Sequence, residues 1–599
     1  MLSFFKQKKN RSNSQQPKEE IYAHKQEKDG SNPQQPKEEI YAHKQEKDGS
    51  NPQQPKEEIY AQKQKKDGSN PQQPKEEIYA QKSSVMIDCS LSKNLENIKR
   101  ITGNSPDIVI RKVKIGYQAK TDAAVLFVKG LVDSRAVDDF FIEAIMKTNR
   151  LQEKHTLEDL MGLITDEVIP LGQVQSMRNQ EEIVDSLMAG NTIILMDGID
   201  EVLTAGTQGG EKRSIQEPTT HISIRGSKEG FTETNETNIA MVRRIIKSPD
   251  VWVESMTIGQ VTKTDVSIMY LKGIAKEDIV QEVRTRLNRI DIDGILESGY
   301  VEQLIEDQTM TPFPTIENTE RPDMVAGNLL EGRIAIFVNG TPFVLLVPAI
   351  FVEFFQTIED YGSRFDIANG LRYLRVLAFF ISLTGPALYV AATTFHQEMI
   401  PTQLVFIIAA QREAVPFPAV VEALIMELTF EILREAGLRL PKAIGSTVSI
   451  VGALVIGQAA VQAGIVSPAM VIVVAVTAIA SFATPAYGMA ISARLIRFAF
   501  IISAATFGFF GLILAFFLMI VHLCSLRSFG VPYMSPFAPF SPSNFKETFF
   551  RRPLWAMNER SRMVAGDNII RQGENQKPQP PISREMIMTD QKEGNTNES

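Results

Sequence analysis

Glu427, Glu431 and Glu435 recur at i, i+4 and i+8 within EALIMELTFEILREAGLRL, so a helix places them on one stripe. Directly after them, Ala443 to Val466 carries no charged residue and includes Gln458 and Gln462, again four apart. The chemistry on offer is attraction of cations beside an apolar run. A charge at a bilayer centre costs about 2.5–3.5 kcal/mol, so three facing lipid would cost on the order of 10 kcal/mol. The acidic helix therefore either lies in the interface, with its acids in water or paired with Arg434 and Arg439, or lines a polar interior built with neighbouring helices, including those of other subunits. Gln458 and Gln462 either hydrogen-bond between helices or line the same interior. Ala453 with Gly457, and Ala460 with Gly464, follow small-xxx-small spacing, which lets helix backbones pack closely.

The elements that position this stripe read as a membrane domain over 331–525. Val376–Phe395, Ala443–Val466, Pro468–Ala493 and Phe498–Cys524 are each about 20 residues or longer, enough to cross a bilayer, and free of formal charge. Ile334–Phe355 is apolar but interrupted by Asn339-Gly340-Thr341-Pro342 and Pro348, and Leu404–Ala410 is short, so both read as re-entrant or interfacial segments. With Ile334–Phe355 not crossing, Arg364, Arg372 and Arg375 stay inside, as positive residues do. Arg494 and Arg497 flank the same span as the basic tail, so one set breaks that rule; the tail, 526–599, is kept inside.

The polar remainder divides in three. QQPKEEIYA begins at Gln15, Gln34, Gln53 and Gln72, a 19-residue repeat whose one Ile and one Tyr per copy cannot offset the entropy of ordering it, so 1–84 is expected to be a disordered tether, with a peptide ligand presented several times for avidity as the alternative. Val85 to about Asp323 is globular in composition and contains a duplication. SPDIVIRKVKIGYQAKTDAAVLFVKGL at Ser105 aligns with SPDVWVESMTIGQVTKTDVSIMYLKGI at Ser248 without a gap, pairing Asp107 with Asp250 and Gly130 with Gly273. Each copy reads as two paired strands followed by a helix, at Ala136–Met146 and Ile279–Leu287, with a further strand at Asn191–Met196. The fold class expected is an α+β multidomain membrane protein. It comprises the disordered repeats, two related α/β soluble subdomains at 85–203 and 247–330 joined by a connector at 204–246, then the α-helical transmembrane domain.

Charge and motifs exclude several classes. A net charge of -8 opposes a general nucleic-acid binder. The two cysteines, Cys89 and Cys524, lie far apart and fit free thiols rather than a disulfide framework. MLSFFKQKKNR has too short an apolar run for a secretory signal, so the soluble region is expected to remain unexported. IILMDGIDE, ending at Asp197, Asp200 and Glu201, resembles a Walker-B strand, yet no G-x-x-x-x-G-K-[ST] loop accompanies it. AGTQGGEKR and RGSKEG lack the strand-to-helix grammar of a dinucleotide loop. With 6 histidines and no H-E-x-x-H, C-x-x-C or G-x-S-x-G, no catalytic residue, metal site or cofactor is expected.

Four stretches carry a resemblance to a known family: EPTTHISIRGSKEGFTETNETNIAMVRRIIKSPD from Glu217, GRIAIFVNGTPFVLLVPAIFVEFFQ from Gly332, the run from Pro416 through the acidic stripe, and FGVPYMSPFAP from Phe529. From about Val85 to Pro542 the chain resembles the A subunits of spore germination receptors, the GerA family, and its Gln/Pro repeats resemble the GerI type. Ser227 departs from the family's loop, where Pro is expected. The resemblance implies a non-enzymatic subunit of the spore inner membrane, its soluble region on the core side, assembled with a membrane B subunit and a C lipoprotein. It further implies an A-subunit homo-oligomer that relays nutrient binding and contributes a cation path, with Glu427, Glu431, Glu435, Gln458 and Gln462 as candidate lining. A non-conducting scaffold, a secondary transporter and a sporulation-stage ion transporter of the same family are the alternatives.

Overall fold

The computed structural model describes residues 85–115, 121–138, 174–209, 217–218, 225–439, 455, 457–542, 545, 550–573 and 575–579. The repeats of 1–84 lie outside them.

The first soluble unit opens with α1 (Leu91–Ile101) and contains β1 (Ile108–Ile115), β2 (Thr121–Val128), β3 (Val174–Met177), α2 (Gln180–Met188), β4 (Thr192–Met196) and β5 (Val202–Ala205). The second opens with α3 (Asn235–Ile245) and continues through β6 (Val251–Ile258), β7 (Thr264–Leu271), α4 (Glu277–Asn288), α5 (Ser298–Ile305), β8 (Glu317–Thr319), α6 (Pro322–Leu330), β9 (Ile334–Val338) and β10 (Val344–Val347). Both sheets are antiparallel, ordered β1-β2-β4-β5-β3 and β6-β7-β9-β10-β8, the same topology twice. Register is duplicated as well. Ile108 faces Val128 where Val251 faces Leu271, Ala123 faces Met196 where Val266 faces Val338, and Thr192 faces Ala205 where Ile334 faces Val347. A one-residue slip would turn the whole apolar set of a strand to the wrong face, so a gap-free sequence match preserves pairing.

Two expectations are corrected here, and a third falls largely outside the described residues. Ile334–Phe355 is no re-entrant segment of a membrane domain, because β9 and β10 are strands of the second sheet, every residue of both buried. Strands covered on both faces lose their alternation and read as continuous apolar runs, which imitates a membrane segment. The connector expected over 204–246 is divided between the units: β5 completes the first sheet, and α3 packs Ile239 and Val242 into the core of the second. The helix expected at Ala136–Met146 is described only over 134–138; its counterpart is α4.

The two units dock through a tight junction. The Arg243 guanidinium, 1% exposed, holds Asp107 at 2.5 and 3.1 Å. The Trp252 indole donates to the Ile101 carbonyl at 3.2 Å and lies over Gly103, while Ser105 Oγ accepts from the Val253 amide at 3.0 Å.

The helical part comprises α7 (Phe365–Thr394), α8 (Thr402–Arg412), α9 (Ala419–Arg439), a helical stretch at 457–462, α10 (Pro468–Phe482) and α11 (Tyr487–Ser525). Two of these, α7 and α11, are long and apolar enough to cross a membrane. The single span expected at Pro468–Ala493 is instead α10 and the start of α11. The chain breaks between Phe482 and Tyr487 at Thr484-Pro485, since the residue before proline is biased out of helical geometry. The span expected at Phe498–Cys524 also folds differently. Gly508 has φ 61° and ψ -140°, and α11 turns back on itself there: Phe500 meets Phe516 with ring centroids 5.0 Å apart, and Ser503 Oγ donates to the Gly511 carbonyl. Residues 487–507 and 509–525 are thus two antiparallel limbs, with the Gly508 turn against Phe395 and His396 just beyond the end of α7. The expected Ala443–Val466 span lies largely outside the described residues.

After α11 the chain returns to the second soluble unit. Phe529 and Val531, on the hairpin of β11 (Arg527–Ser528) and β12 (Val531–Pro532), enter that unit's core. Tyr533 Oη donates to the Pro314 carbonyl, the Gly566 amide donates to the Ile274 carbonyl, and Asn369 of α7 exchanges two hydrogen bonds with the backbone of Arg551.

Gly103 tests the junction. It has φ +67°, and a Cβ there would fall 2.2 Å from Trp252 Cδ2. Backbone strain alone costs about 1–3 kcal/mol, before the clash with the indole. Gly103→Val should therefore open the two units to limited proteolysis between them; an unaltered cleavage pattern and melting temperature would contradict the docking.

Candidate functional site

Helix α9 presents its acids to three neighbouring elements. Glu427, fully buried, is ion-paired with Arg497 of α11, whose Nε donates to the Ser382 carbonyl of α7 at 2.6 Å. One turn on, Glu431 takes Arg494 at 3.0 Å. One turn before, buried Glu422 accepts the Ser467 amide at 2.9 Å and lies 3.4 Å from Arg412. Glu435 is exposed and pairs along its own helix with Arg439. The stripe that composition presents as three free carboxylates is therefore a ladder of intrachain pairs, and only Glu435 faces outward. Isolated buried charges are untenable in low dielectric, so Arg494 and Arg497 are the counter-ions that let α9 pack.

Sequence reasoning offered Arg434 and Arg439 as partners of the acids, of which Arg439 pairs with Glu435, and missed Arg494 and Arg497, although the signal was present. Two arginines three residues apart in an otherwise apolar run match two glutamates four apart, and both pairs had no reason to face lipid. The same logic repeats at the base of α7, where Asp360, 1% exposed, takes Arg372 at 2.8 Å and Arg375 at 2.9 Å. In the adjoining soluble unit, burial pushes the Glu317 carboxyl up to about 7, against the pull of Arg333 at 3.3 Å.

The remaining candidates separate. Gln458 and Gln462 are exposed on the 457–462 helix, and Ala460 is half-buried. Gly457 faces α10, where a methyl group added to its Cα would sit 3.7 Å from Val471 Cγ1, an ordinary contact. Gly464 is not a helix-packing residue. The helix has already ended, and Gly464 with φ +65° closes it: its amide donates to Val461 and that of Ile465 to Ala460, the paired bonds of a glycine-terminated helix. Ala453 lies outside the described residues. Among the described residues no group of three or more His, Cys, Asp and Glu side chains is placed to hold a metal ion.

Removing one member of a buried pair strands the other, at about 3–5 kcal/mol. Glu427→Gln should accordingly lower the melting temperature of the detergent-purified chain, and Glu427→Gln with Arg497→Gln should cost less than the two single losses combined. An unchanged melting temperature in the single variant would show the pair to be dispensable.

The chain matches the family described as Bacillus/Clostridium GerA spore germination protein over residues 96–563, from the first soluble unit through the bundle and into the tail. It is 59% identical over 513 residues to spore germination protein KA of Bacillus subtilis (strain 168), spanning 86% of this chain and 94% of that one. Spore germination protein GerIA of Bacillus cereus is 38% identical over 395 residues, spanning 66% of this chain and 59% of that one, so the matches do not single out the GerI type. Among solved structures, the N-terminal domain of the A subunit of the Bacillus megaterium spore germinant receptor GerK3 is 50% identical and covers 45% of this chain and 98% of its own, with a TM-score of 0.37. The chain belongs to the GerA family of spore germination proteins.

Proposed function

We propose that this chain is the A-type subunit of a nutrient germinant receptor of the spore inner membrane, a non-enzymatic relay between nutrient recognition and the start of germination. The observation that carries this reading is the extent of the GerA match, which takes in both soluble units, every described helix of the bundle and part of the tail. A membrane B subunit and a C lipoprotein are its partners, and the soluble units face the spore core.

The bundle is read as multi-pass. Limbs of 21 and 17 residues in α11 reach about 31 and 26 Å, close to the hydrocarbon thickness of a bilayer. Since both the segment before α7 and the tail after α11 contact the second soluble unit, the number of crossings between them is even. A cation path in an oligomer of A subunits then draws on residues that still face outward, Glu435, Gln458 and Gln462, rather than on the neutralised Glu427 and Glu431. That neutralisation favours the second reading, a signalling scaffold that does not itself conduct.

Glu435→Gln combined with Gln458→Leu and Gln462→Leu separates the two. The conducting reading expects nutrient-triggered monovalent-cation release from spores to fall about tenfold at normal receptor abundance, because the groups that attract and solvate the ion are gone. Undiminished release from the triple variant would leave the chain as a scaffold.

A further inference from the structure

A cavity of about 530 Å³ lies where the lower ends of α9 and α10 and the start of α11 meet the second soluble unit. Its helical wall carries three guanidiniums, Arg375 of α7, Arg434 of α9 and Arg494 of α11, of which Arg375 is held by Asp360. Glu431 pairs with Arg494, and among the described residues no carboxylate lies within ion-pair distance of Arg434. Arg434 lies over two aromatic rings, with the Phe430 centroid 5.0 Å and the Phe482 centroid 4.8 Å from the guanidinium carbon. Of its N–H groups, Nη2 donates to Ser481 Oγ at 2.9 Å, and the buried Nε has no partner. Beside it Thr484, 6% exposed, also lines the cavity with an unpartnered hydroxyl.

A guanidinium with aromatic rings beside it still offers its N–H groups, and its planar fork fits the oxygens of a phosphate or carboxylate. The carboxylates of the opposite wall do not supply that counter-charge: Glu317 lies 3.3 Å from Arg333, and Glu359 is already engaged. Phe354, Met324, Leu438 and Tyr487 give the rest of the lining an apolar character.

We propose that this cavity is an oxyanion site that takes the phosphate of a ligand with an apolar portion, held by the edge of Arg434 with the Thr484 hydroxyl beside it. The phosphate comes from an anionic lipid headgroup or from a free phosphomonoester. Only the lipid source rests on the membrane reading of the bundle; the surplus guanidinium does not. Occupancy would tie the ends of three helices to the soluble unit through one ligand.

The test is native mass spectrometry of the full-length chain in neutral detergent, with phosphatidylglycerol, phosphatidylcholine and glycerol 3-phosphate as separate probes. Wild type should retain phosphatidylglycerol over phosphatidylcholine. Arg434→Gln should cut that retention about tenfold, as loss of a charge-assisted contact does, with Arg434→Lys recovering part of it. Binding of glycerol 3-phosphate that Arg434→Gln abolishes would also support the site and identify the soluble source. Absence of binding by either phosphate probe, or equal binding by wild type and Arg434→Gln, would overturn it. If Arg434→Gln does not yield folded protein, Thr484→Val, which preserves shape, decides: weakened retention supports the site and unchanged retention overturns it.

Discussion

A carboxylate held away from water needs a cation or hydrogen-bond donors at hand, and in this bundle the cations come from the same chain. Glu422, Glu427 and Glu431 meet Arg412, Arg497 and Arg494, and each contact joins α9 to another segment. The charge pattern thereby sets which helices touch and in what register. These polar contacts distinguish one register from another, because α10 and α11 are otherwise apolar along most of their length. The charge pattern also gives Arg494 and Arg497 their place in an otherwise apolar run: they answer the acids of α9.

The second soluble unit forms the other fixed point. It receives the chain twice, once as β10 leads toward α7 and again as β11 and β12 return from α11. Asp360 ties the approach to Arg372 and Arg375, and Asn369 ties α7 to the tail at Arg551. A displacement of that unit therefore acts on both ends of the bundle together. This is the arrangement a relay needs, since coupling requires contiguous packed contacts between the element that senses and the element that responds.

Much of the soluble region was legible in the sequence because duplication is a pattern of position. Asp107 with Asp250 and Gly130 with Gly273 fix an offset, and strand pairing follows from it. Ile334–Val347 was misread because a strand buried on both faces and a membrane segment present the same composition. The acidic stripe was legible as a stripe and illegible as a ladder, because Arg494 and Arg497 lie more than sixty residues from their partners and periodicity carries only local information. Gly508 was hidden for a related reason: one glycine in a long apolar run is common in packed helices, and its backbone angles alone mark the turn.

The most direct test of this architecture is the side on which its two ends lie. Cys89 is exposed in the first soluble unit, and Cys524 is removed by Cys524→Ser to leave one native thiol. Gly573→Cys then adds a second, exposed thiol in the tail. Labelling with a membrane-impermeant maleimide in sealed vesicles of either orientation reports the side of each. Return of the tail to the soluble unit predicts that Cys89 and the tail thiol are modified from the same face. Modification from opposite faces would mean an odd number of crossings, and would contradict both the docking of Phe529 and Val531 and the bundle built upon it.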